Sequence, residues 1–373
     1  MIWIDTQAPF DGAMKRVAAQ PKVAVDTEAD SLHSYFDKVC LIQISIPGED
    51  LVIDPLRKID LSAFGAILAN ERITKVLHGG DYDLRILNRD FGFTIANVID
   101  TMICAQFLGY DAIGLAALLE RYFAVTVDKT HQRADWAMRP LPRVMLEYAA
   151  SDTRHLIELA DTMRGELLEI GRWEWAQEEF ARLATIRFSE REDNGEGFRR
   201  LKGINAFDRR SLAIVRALYD WRDEMARAAD RPPFKIFGND LILEVARAKA
   251  GTVEALNGIK GLSPAHRRRY EREILRRVRE ALALPEEMLP EKNEAKQWSR
   301  DKAVESRVSR LKDVRDKKAK ELKLDPGVLA PRHVLTAIAT IGDLDHIPAM
   351  REWQKRVLGE AFIQALGTRH PAL

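Results

Sequence analysis

Residues 23–28, with the sequence VAVDTE, carry a buried-strand pattern that runs directly into two carboxylates, Asp26 and Glu28. Side chains alternate between the two faces of a strand, so Asp26 and Glu28 are predicted to share one face. Two carboxylates on one face repel each other and are costly to remove from water. Two explanations fit this stretch alone. It is either a solvated strand end or a site for a divalent cation, because Mg²⁺ prefers oxygen ligands.

The patterns around this stretch alternate between strand and helix. Together with VAVDTE, the apolar runs VCLIQISI (39–46) and DLVIDP (50–55) predict three consecutive strands. Further segments with these patterns are the strand ITKVLHGG (73–80), the helices at 60–70 and 81–92, the strand-to-helix passage at 97–109 and one long amphipathic helix at 142–171. This order predicts an α/β domain with a mixed β-sheet flanked by helices.

The composition is typical of a globular protein, with 46% hydrophobic and 31% charged residues among 373. The N-terminal residues lack a signal-peptide pattern, and no apolar run approaches the roughly 20 residues that span a bilayer. Two cysteines, Cys40 and Cys104, are too few for a disulfide framework or a structural zinc site. We therefore expect a cytoplasmic protein that does not associate with a membrane.

Charge is distributed unevenly along the chain. Residues 1–200 contain 23 Lys+Arg against 32 Asp+Glu, a balance of −9, whereas residues 201–373 contain 35 against 25, a balance of +10. An acidic half joined to a basic half indicates acidic chemistry beside a module that binds polyanions, although solvated surfaces explain the balance equally well. In the first interpretation, a truncation near residue 200 would keep the chemistry and lose affinity.

The second half of the chain has helical patterns only. A polar linker at 191–200 is predicted to precede one helical unit at 201–285 and a second, divergent unit at 300–373, related by a weak internal repeat. The segment AHRRRYEREILRRVRE (265–280) concentrates arginines around Tyr270. Such a run is either a solvated face or a surface that contacts nucleic-acid phosphates.

Further acidic residues occur where the predicted fold would bring them near Asp26 and Glu28. Asp83, in HGGDYDL (78–84), starts a helix after a strand end, and Asp100 ends another strand. In EYAASD (147–152), Tyr148 and Asp152 are four residues apart and share one helical face. Each of these residues, taken alone, is explained as a helix-start acid, a core residue or a solvated residue. Together they occur at strand ends and helix starts, where α/β proteins place their functional sites.

The three motifs DTE, HGGDYDL and EYAASD resemble those of the DEDD superfamily of 3′→5′ exonucleases, in its tyrosine-bearing branch, and more closely the ribonuclease D family. CLIQIS, VIDP and DKTHQRADWAMRPL support the resemblance, which covers about residues 20–190. It implies a ribonuclease H-like domain. The first helical unit resembles the HRDC domain through LKGI, FKIFGNDLILEVA and GIKGLSPAHRRRYEREIL; the second unit lacks a clear counterpart of GIKGLSPAHRRRY.

The resemblance implies a role for each motif residue. Asp26 would bridge two divalent ions, Mg²⁺ or Mn²⁺, while Glu28 and Asp152 would complete the site of the first. Asp83 would hold the second ion, and Tyr148 would orient the attacking water. The acid immediately before the leucine of DYDL matches the family pattern, which selects Asp83 over Asp81.

Candidate substrate contacts lie in two loops. DKTHQRADWAMRP (128–140) places Lys129, Arg133 and Arg139 beside Trp136, a combination that suits phosphates and stacked bases. An alternative is that Trp136 is buried and only Lys129 or Arg133 meets substrate. The second loop contributes His33 and Tyr35, through a resemblance of this stretch to eukaryotic relatives of the family.

The resemblance implies a metal-dependent 3′→5′ exoribonuclease that releases 5′-mononucleotides and acts in tRNA 3′ maturation. Its partners would be RNAs, namely tRNA precursors and other small structured RNAs with single-stranded 3′ ends, with no obligate protein partner. Two alternatives stay open: a 3′→5′ DNA exonuclease, since carboxylates and metals address phosphate rather than sugar, and a nucleic-acid-binding protein with an inactive nuclease domain. All four acids and the tyrosine are present, which disfavours the last.

Overall fold

The fold is described from a computed structural model, which covers residues 1–128, 130–189, 195–292, 302–342, 344 and 350–367. These residues form two compact units. One unit contains residues 1–29, 38–188 and the described residues after 300, and the other contains residues 30–37 and the described residues of 189–299. The mixed sheet flanked by helices and the all-helical second half confirm the predicted fold class.

A six-stranded mixed sheet forms the centre of the first unit, with strand order β1-β4-β3-β2-β5-β6. The strands are β1 (Ile2–Ile4), β2 (Lys22–Ala29), β3 (Val39–Ile46), β4 (Glu49–Ile53), β5 (Thr74–Leu77) and β6 (Val98–Asp100). Strand β3 pairs antiparallel with both β2 and β4, whereas β5 is parallel to both β2 and β6. The central position of β3 explains its continuous apolar pattern, because every residue of the strand is buried.

Eight helices formed by the described residues of 1–188 flank this sheet. They are α1 (Gln7–Ala18), α2 (Ser62–Ala69), α3 (Asp81–Phe91), α4 (Thr101–Leu108), α5 (Leu115–Phe123), α6 (Arg143–Arg154), α7 (Leu156–Glu169) and α8 (Trp173–Ala184). The first strand and the first helix were not predicted. Helix α1 nevertheless contributes Phe10, Met14 and Val17 to the core at helical spacing.

The single long helix predicted for residues 142–171 is two helices. Helix α6 ends at Arg154 and α7 begins at Leu156, with His155 between them at φ −105° and ψ 0°. This conformation departs from regular helical dihedrals and interrupts the hydrogen-bonding ladder. The amphipathic pattern continues across the break because both helices bury a face in the same unit, so the sequence alone gave no sign of it.

The C-terminal helices share a hydrophobic core with the α/β part. Helices α14 (Lys302–Leu322), α15 (Pro326–Leu329), α16 (Arg332–Ile341) and α17 (Glu352–Leu366) lie in the first unit. Trp353 of α17 stacks on Trp175 with ring centroids 5.2 Å apart and meets Phe107 edge-on at 5.1 Å. Both carboxylate oxygens of Glu178 accept backbone N–H bonds from Glu352 and Trp353, which satisfies the first turn of α17.

The second unit is a helical bundle around its own core. It contains α9 (Arg209–Ala228), α10 (Pro233–Ile236), α11 (Asn239–Ala248), α12 (Val253–Asn257) and α13 (Pro264–Ala283). Residues 197–200, at the end of the predicted linker, form a 3₁₀ turn in which Phe198 is fully buried in this core. The predicted linker therefore ends in folded chain, while its residues 191–194 lie outside the described residues.

None of the helices formed by the described residues combines the length and apolarity that crossing a bilayer requires.

Candidate active site

Strand β2 carries Asp26 and Glu28 toward one face of the sheet. The register pairs Asp26 with Gln43 and Glu28 with Leu41 of β3, and a bulge follows Glu28. Thr27, between the two acids, points to the opposite face by strand alternation, and its hydroxyl donates to the Asp83 carboxylate. Asp83 lies in the first turn of α3 and is 7% exposed. The Thr27 contact therefore fixes the position of α3 relative to the strand that carries the other acids.

Helix α6 carries Tyr148 and Asp152 across the sheet, where it contacts β2, β3 and β4. The packing is apolar where Ala149 and Ala150 meet Leu41. It is polar one turn later, where the hydroxyls of Ser45 and Thr153 hydrogen-bond at 2.7 Å. These contacts set the rotation of α6, so the predicted i, i+4 pair faces the strand that carries Asp26 and Glu28.

The four carboxyls share one electrostatic site. Burial is the largest cause of the raised pKa of Asp26, and the charges of Asp83, Asp152 and Glu28 raise it further. Burial and the charges of Asp152 and Asp83 raise the pKa of Glu28 well above its usual value. Burial raises the pKa of Asp83 to about 6 and that of Asp152 to about 7. No Lys, Arg or His of the described residues forms an ion pair with these four, so no described cation offsets their repulsion.

These raised pKa values predict that the metal-free protein becomes more stable as pH falls from about 8 to 5. Unfolded carboxyls release their protons near pH 4, whereas Asp83 and Asp152 in the folded protein hold theirs to about pH 6 and 7. The folded state thus binds more protons in this window, and stability is lost as pH rises through it. Thermal melting in EDTA across this range measures the slope. Asp152→Asn should flatten it, and a slope unchanged in that variant would contradict the assignment.

Tyr148 lies at the edge of the carboxyl cluster with its ring held by aromatic neighbours. The indole of Trp136 stacks against it, with centroids 6.0 Å apart and planes at 27°, and His131 meets it edge-on at 5.9 Å. Burial is the largest cause that raises the pKa of Tyr148, followed by the charges of Asp152 and Glu28. The phenol therefore stays protonated at neutral pH and can act as a hydrogen-bond donor.

The donor set has the chemistry of a site for hard divalent cations, which take carboxylate oxygens as ligands. A bound cation would relieve the repulsion that raises the pKa values of Asp26 and Glu28. Among the described residues, no group of three or more His, Cys, Asp or Glu side chains is arranged to hold a metal ion as it stands. Asp26, Glu28, Asp83 and Asp152 are the residues whose mutual repulsion a cation would offset.

Two neighbouring acids have structural partners. Asp100 is the N-cap of α4, where its carboxylate accepts from Met102 and Ile103, and it also accepts the backbone N–H groups of Gly79 and Gly80. Asp100 thus holds the turn that precedes α3. Asp81 is exposed and pairs with Arg85 at 2.7 Å.

Residues 130–140 lie beside α6, and their placement corrects two predicted substrate contacts. Trp136 is 1% exposed, so its indole has no free face for a base, in agreement with the alternative that it is buried. The Arg139 guanidinium donates from every nitrogen, pairing with both oxygens of Asp54 at 2.7 Å and with the carbonyls of Trp136 and Cys40. Arg139 stabilises this loop through its ion pair and hydrogen bonds. Trp136 stabilises it through apolar burial, and its indole N–H has no hydrogen-bond partner among the described residues.

Four predicted contacts have other outcomes. Lys129 lies outside the described residues, and Arg133 lies in the described part of the same loop. His33 and Tyr35 belong to the second unit, where the Tyr35 hydroxyl donates to Asp223 at 2.8 Å and His33 is 3.2 Å from Lys235. A substrate role for Arg133, His33 and Tyr35 remains a prediction.

Two residues that organise the site, Thr27 and His131, are not among those that the sequence predicts. Strand alternation directs Thr27 away from Asp26 and Glu28, so the sequence does not predict a role for it. Its hydroxyl nevertheless donates to Asp83. His131 was not connected with Tyr148, because the contact joins residues 17 positions apart in sequence. The position of a hydroxyl residue between two acids is the one feature of the nearby sequence that points to Thr27. No feature of the sequence around His131 indicates its contact with Tyr148.

Comparison with known proteins agrees with this geometry. Residues 1–168 match a family profile described as a 3′-5′ exonuclease, and residues 211–278 and 304–366 match the HRDC domain. Ribonuclease D of Cronobacter turicensis is 34% identical over 77% of this chain and 78% of that protein; ribonuclease D of Acidiphilium cryptum is 29% identical over 99% and 93%. The crystal structure of Escherichia coli RNase D, an exoribonuclease involved in structured RNA processing, matches with a TM-score of 0.72 and 28% identity over 98% of both chains.

The sheet, the carboxyl cluster and these matches define a 3′→5′ exonuclease with HRDC segments. Within that class, the chain belongs to the ribonuclease D family, and it is a 3′→5′ exoribonuclease that takes RNA as its substrate. The HRDC match at 304–366 also covers the second helical segment, whose relationship the sequence pattern had left open.

Proposed function

We propose that this exoribonuclease uses divalent metal ions, Mg²⁺ or Mn²⁺ and two per active site, to release 5′-mononucleotides from RNA 3′ ends. The observation that carries the proposal is the cluster of four carboxyls, in which the charges of Asp83 and Asp152 raise the pKa values of Asp26 and Glu28 and no cation of the described residues forms an ion pair with the four. Such a cluster disfavours an inactive nuclease domain, because without a cation the repulsion between its carboxylates is a cost to folding that no ion pair within the described residues offsets.

Each of the five motif residues would have a defined role in metal binding or in orienting the attacking water. Asp26, Glu28, Asp83 and Asp152 would hold the ions, with Asp26 shared between them and Asp83 steadied by the Thr27 hydroxyl. When bound, the ions supply charge neutralisation at the phosphate and activate the attacking water. Tyr148, protonated at neutral pH, would donate a hydrogen bond that orients the attacking water, and its stacked ring limits the positions of the hydroxyl.

The domains are proposed to be an exonuclease domain at 1–190, a linker at 191–200, an HRDC domain at 201–285 and a divergent HRDC-like domain at 300–373. We propose that Lys129, Arg133, His33 and Tyr35 contact the substrate strand. The family and the structured-RNA role of the E. coli relative support tRNA precursors and other small RNAs with single-stranded 3′ ends as substrates, in the cytoplasm and without an obligate protein partner.

Matched RNA and DNA oligonucleotides, labelled at the 5′ end, test the proposal in Mg²⁺, Mn²⁺ or EDTA. The expected result is a ladder of RNA shortened from its 3′ end with either metal and none in EDTA. A 3′-labelled RNA should release a labelled 5′-mononucleotide in the first turnover. Undiminished hydrolysis in EDTA would contradict the metal requirement, and faster hydrolysis of DNA than of RNA would favour the DNA exonuclease alternative.

Helix α13 is expected to bind RNA through Arg268 and Arg272, four residues apart on one exposed face. Neither forms an ion pair within the described residues. Arg276, on the same helix, is already compensated by Glu273 and Glu280, and it lowers the pKa of Glu273 to about 2. Tyr270 is 5% exposed and belongs to the core, so the affinity should be electrostatic.

Replacing Arg268 and Arg272 together by alanine should weaken RNA binding and flatten its dependence on salt. Each lost contact to a single-stranded phosphate should reduce the slope of log K against log[salt] by about 0.7. Arg276→Ala is the matched control and should change the slope little. Fluorescence anisotropy at four salt concentrations measures it, and equal slopes for all three proteins would show that this face does not meet RNA.

A further inference from the structure

Gln43 is a polar residue at the centre of the sheet whose amide has no partner. It lies in β3, is 0% exposed, and neither its Nε2 nor its Oε1 hydrogen-bonds to any described residue. Every neighbour along β3 is buried as well, so an apolar side chain would suit the position. Buried amides are normally paired, and one that is not calls for an explanation such as a ligand or a second state.

Gln43 lies directly opposite Asp26 in the sheet. The two residues are register partners in the antiparallel pair of β2 and β3, so they share a face with Cβ atoms about 4.5–5.5 Å apart. A glutamine amide can reach a carboxylate at that separation. Helix α6, with Tyr148 and Asp152, covers this face, so Gln43 lies beneath the carboxyl cluster rather than in a remote part of the core.

Other polar groups on this face of β3 already have partners. The Ser45 hydroxyl donates to Asp50 at 2.8 Å and hydrogen-bonds to Thr153 at 2.7 Å. Leu41, on the other side of Gln43, offers no polar atom. The Asp26 side chain, in contrast, forms no ion pair within the described residues and directly faces the amide. Asp26 is therefore the acceptor that geometry assigns to the Gln43 amide.

We propose that Gln43 is a positioning residue whose Nε2–H donates to the Asp26 carboxylate when the site is loaded with metal, holding that carboxylate in one orientation. The proposal rests on the proposed role of Asp26 as a metal ligand. The amide is unpaired in the metal-free arrangement and gains its partner when Asp26 is fixed by the ion. Residues that orient metal ligands by hydrogen bonding typically contribute 10- to 100-fold to metal affinity, as a rough range.

Gln43→Met tests the proposal because methionine matches glutamine in length and has no hydrogen-bonding amide. The metal-free variant should melt at the same temperature as the unsubstituted protein or higher, since no hydrogen bond is lost and an unpaired amide is removed. Mn²⁺ affinity, measured by calorimetry without RNA, should fall about 10-fold or more. Single-turnover cleavage should fall at limiting Mn²⁺ and recover at high Mn²⁺, while RNA affinity stays unchanged.

Ser45→Ala is the matched control on the same strand and face. Its hydroxyl makes two hydrogen bonds, so the variant should melt at a lower temperature while keeping the Mn²⁺ affinity of the unsubstituted protein. The two variants should thus show opposite patterns. Gln43→Leu serves in place of Gln43→Met if the methionine variant does not fold.

The proposal is supported only by a loss of Mn²⁺ affinity without a loss of metal-free melting temperature. A lower melting temperature, or an unchanged Mn²⁺ affinity, would overturn it and make Gln43 a residue of the core. Asp26→Asn measured in parallel separates this failure from a failure of the proposed function. If Asp26→Asn loses Mn²⁺ binding and Gln43→Met does not, only the role of Gln43 is wrong; if Asp26→Asn also binds normally, the metal site itself is misassigned.

Discussion

Asp26→Asn is expected to abolish RNA hydrolysis and, without metal, to raise the melting temperature. Asparagine keeps the size of the side chain and removes the charge proposed to hold both ions. Losing about 4 kcal/mol of charge stabilisation at the phosphate corresponds to about 10³-fold in rate. Burial and three neighbouring carboxyls raise the pKa of Asp26, so its neutral replacement should relieve repulsion in the folded state. Single-turnover cleavage and thermal melting in EDTA measure the two effects on one protein.

Asp81→Asn is the control for this substitution. Asp81 precedes Asp83 by two residues in the same motif, but it is exposed and pairs with Arg85. The same chemical change there should leave the cleavage rate within about two-fold, because exposed ion pairs contribute little. Cleavage by Asp26→Asn at a rate close to that of Asp81→Asn would contradict the assignment. A lower metal-free melting temperature for Asp26→Asn would contradict the electrostatic account alone.

Tyr148→Phe is expected to lower the single-turnover rate by about 10²-fold, as for a positioned group that assists proton transfer. The substitution retains the ring and its stacking on Trp136 and deletes the hydroxyl. Within the described residues this hydroxyl has no hydrogen-bond partner, so the melting temperature should not change. Metal and RNA affinities should also persist because all four carboxyls remain. An unchanged rate would mean that Tyr148 only packs against Trp136 and His131.

Tyr122→Phe offers a matched control with the opposite expected pattern. The Tyr122 hydroxyl hydrogen-bonds to Glu166 and to Tyr110, both at 2.6 Å. Removing it deletes both of these bonds, while Tyr110 still donates to Glu166 at 2.8 Å. The variant should therefore lose about 0.5–1.5 kcal/mol of stability without a change in the cleavage rate. A loss of rate in this variant equal to that of Tyr148→Phe would show that general destabilisation explains both.

The charge balance predicts that the helical half can be removed from the α/β part, but the structure predicts that it cannot. The charge balance suggested that cutting near residue 200 would leave an active nuclease with weaker RNA binding. Such a cut removes Trp353 and Phe362, which lie in one core with Phe107 and Met163 of the α/β part. Exposing that apolar surface to water is unfavourable, so this truncation should unfold or aggregate. The substitutions in α13 test RNA binding without this effect.

The candidate acids were predictable because their signal is local. Strand alternation gave the common face of Asp26 and Glu28, and helical spacing gave that of Tyr148 and Asp152. The roles of Trp136 and Arg139 were not predictable in this way. Whether an aromatic or a guanidinium meets solvent depends on Asp54 and Tyr148, which approach from other parts of the chain.

The α/β class, the motif acids and the helical character of the second half were predictable, because each depends on a pattern within a few residues. Three other features became visible only once the chain was folded: the break at His155, the core shared by α17 with the α/β part, and the unpaired amide of Gln43 opposite Asp26. These depend on contacts between segments distant in sequence. The apolar pattern of β3 predicts burial, but only the sheet register shows which buried residue faces a carboxylate.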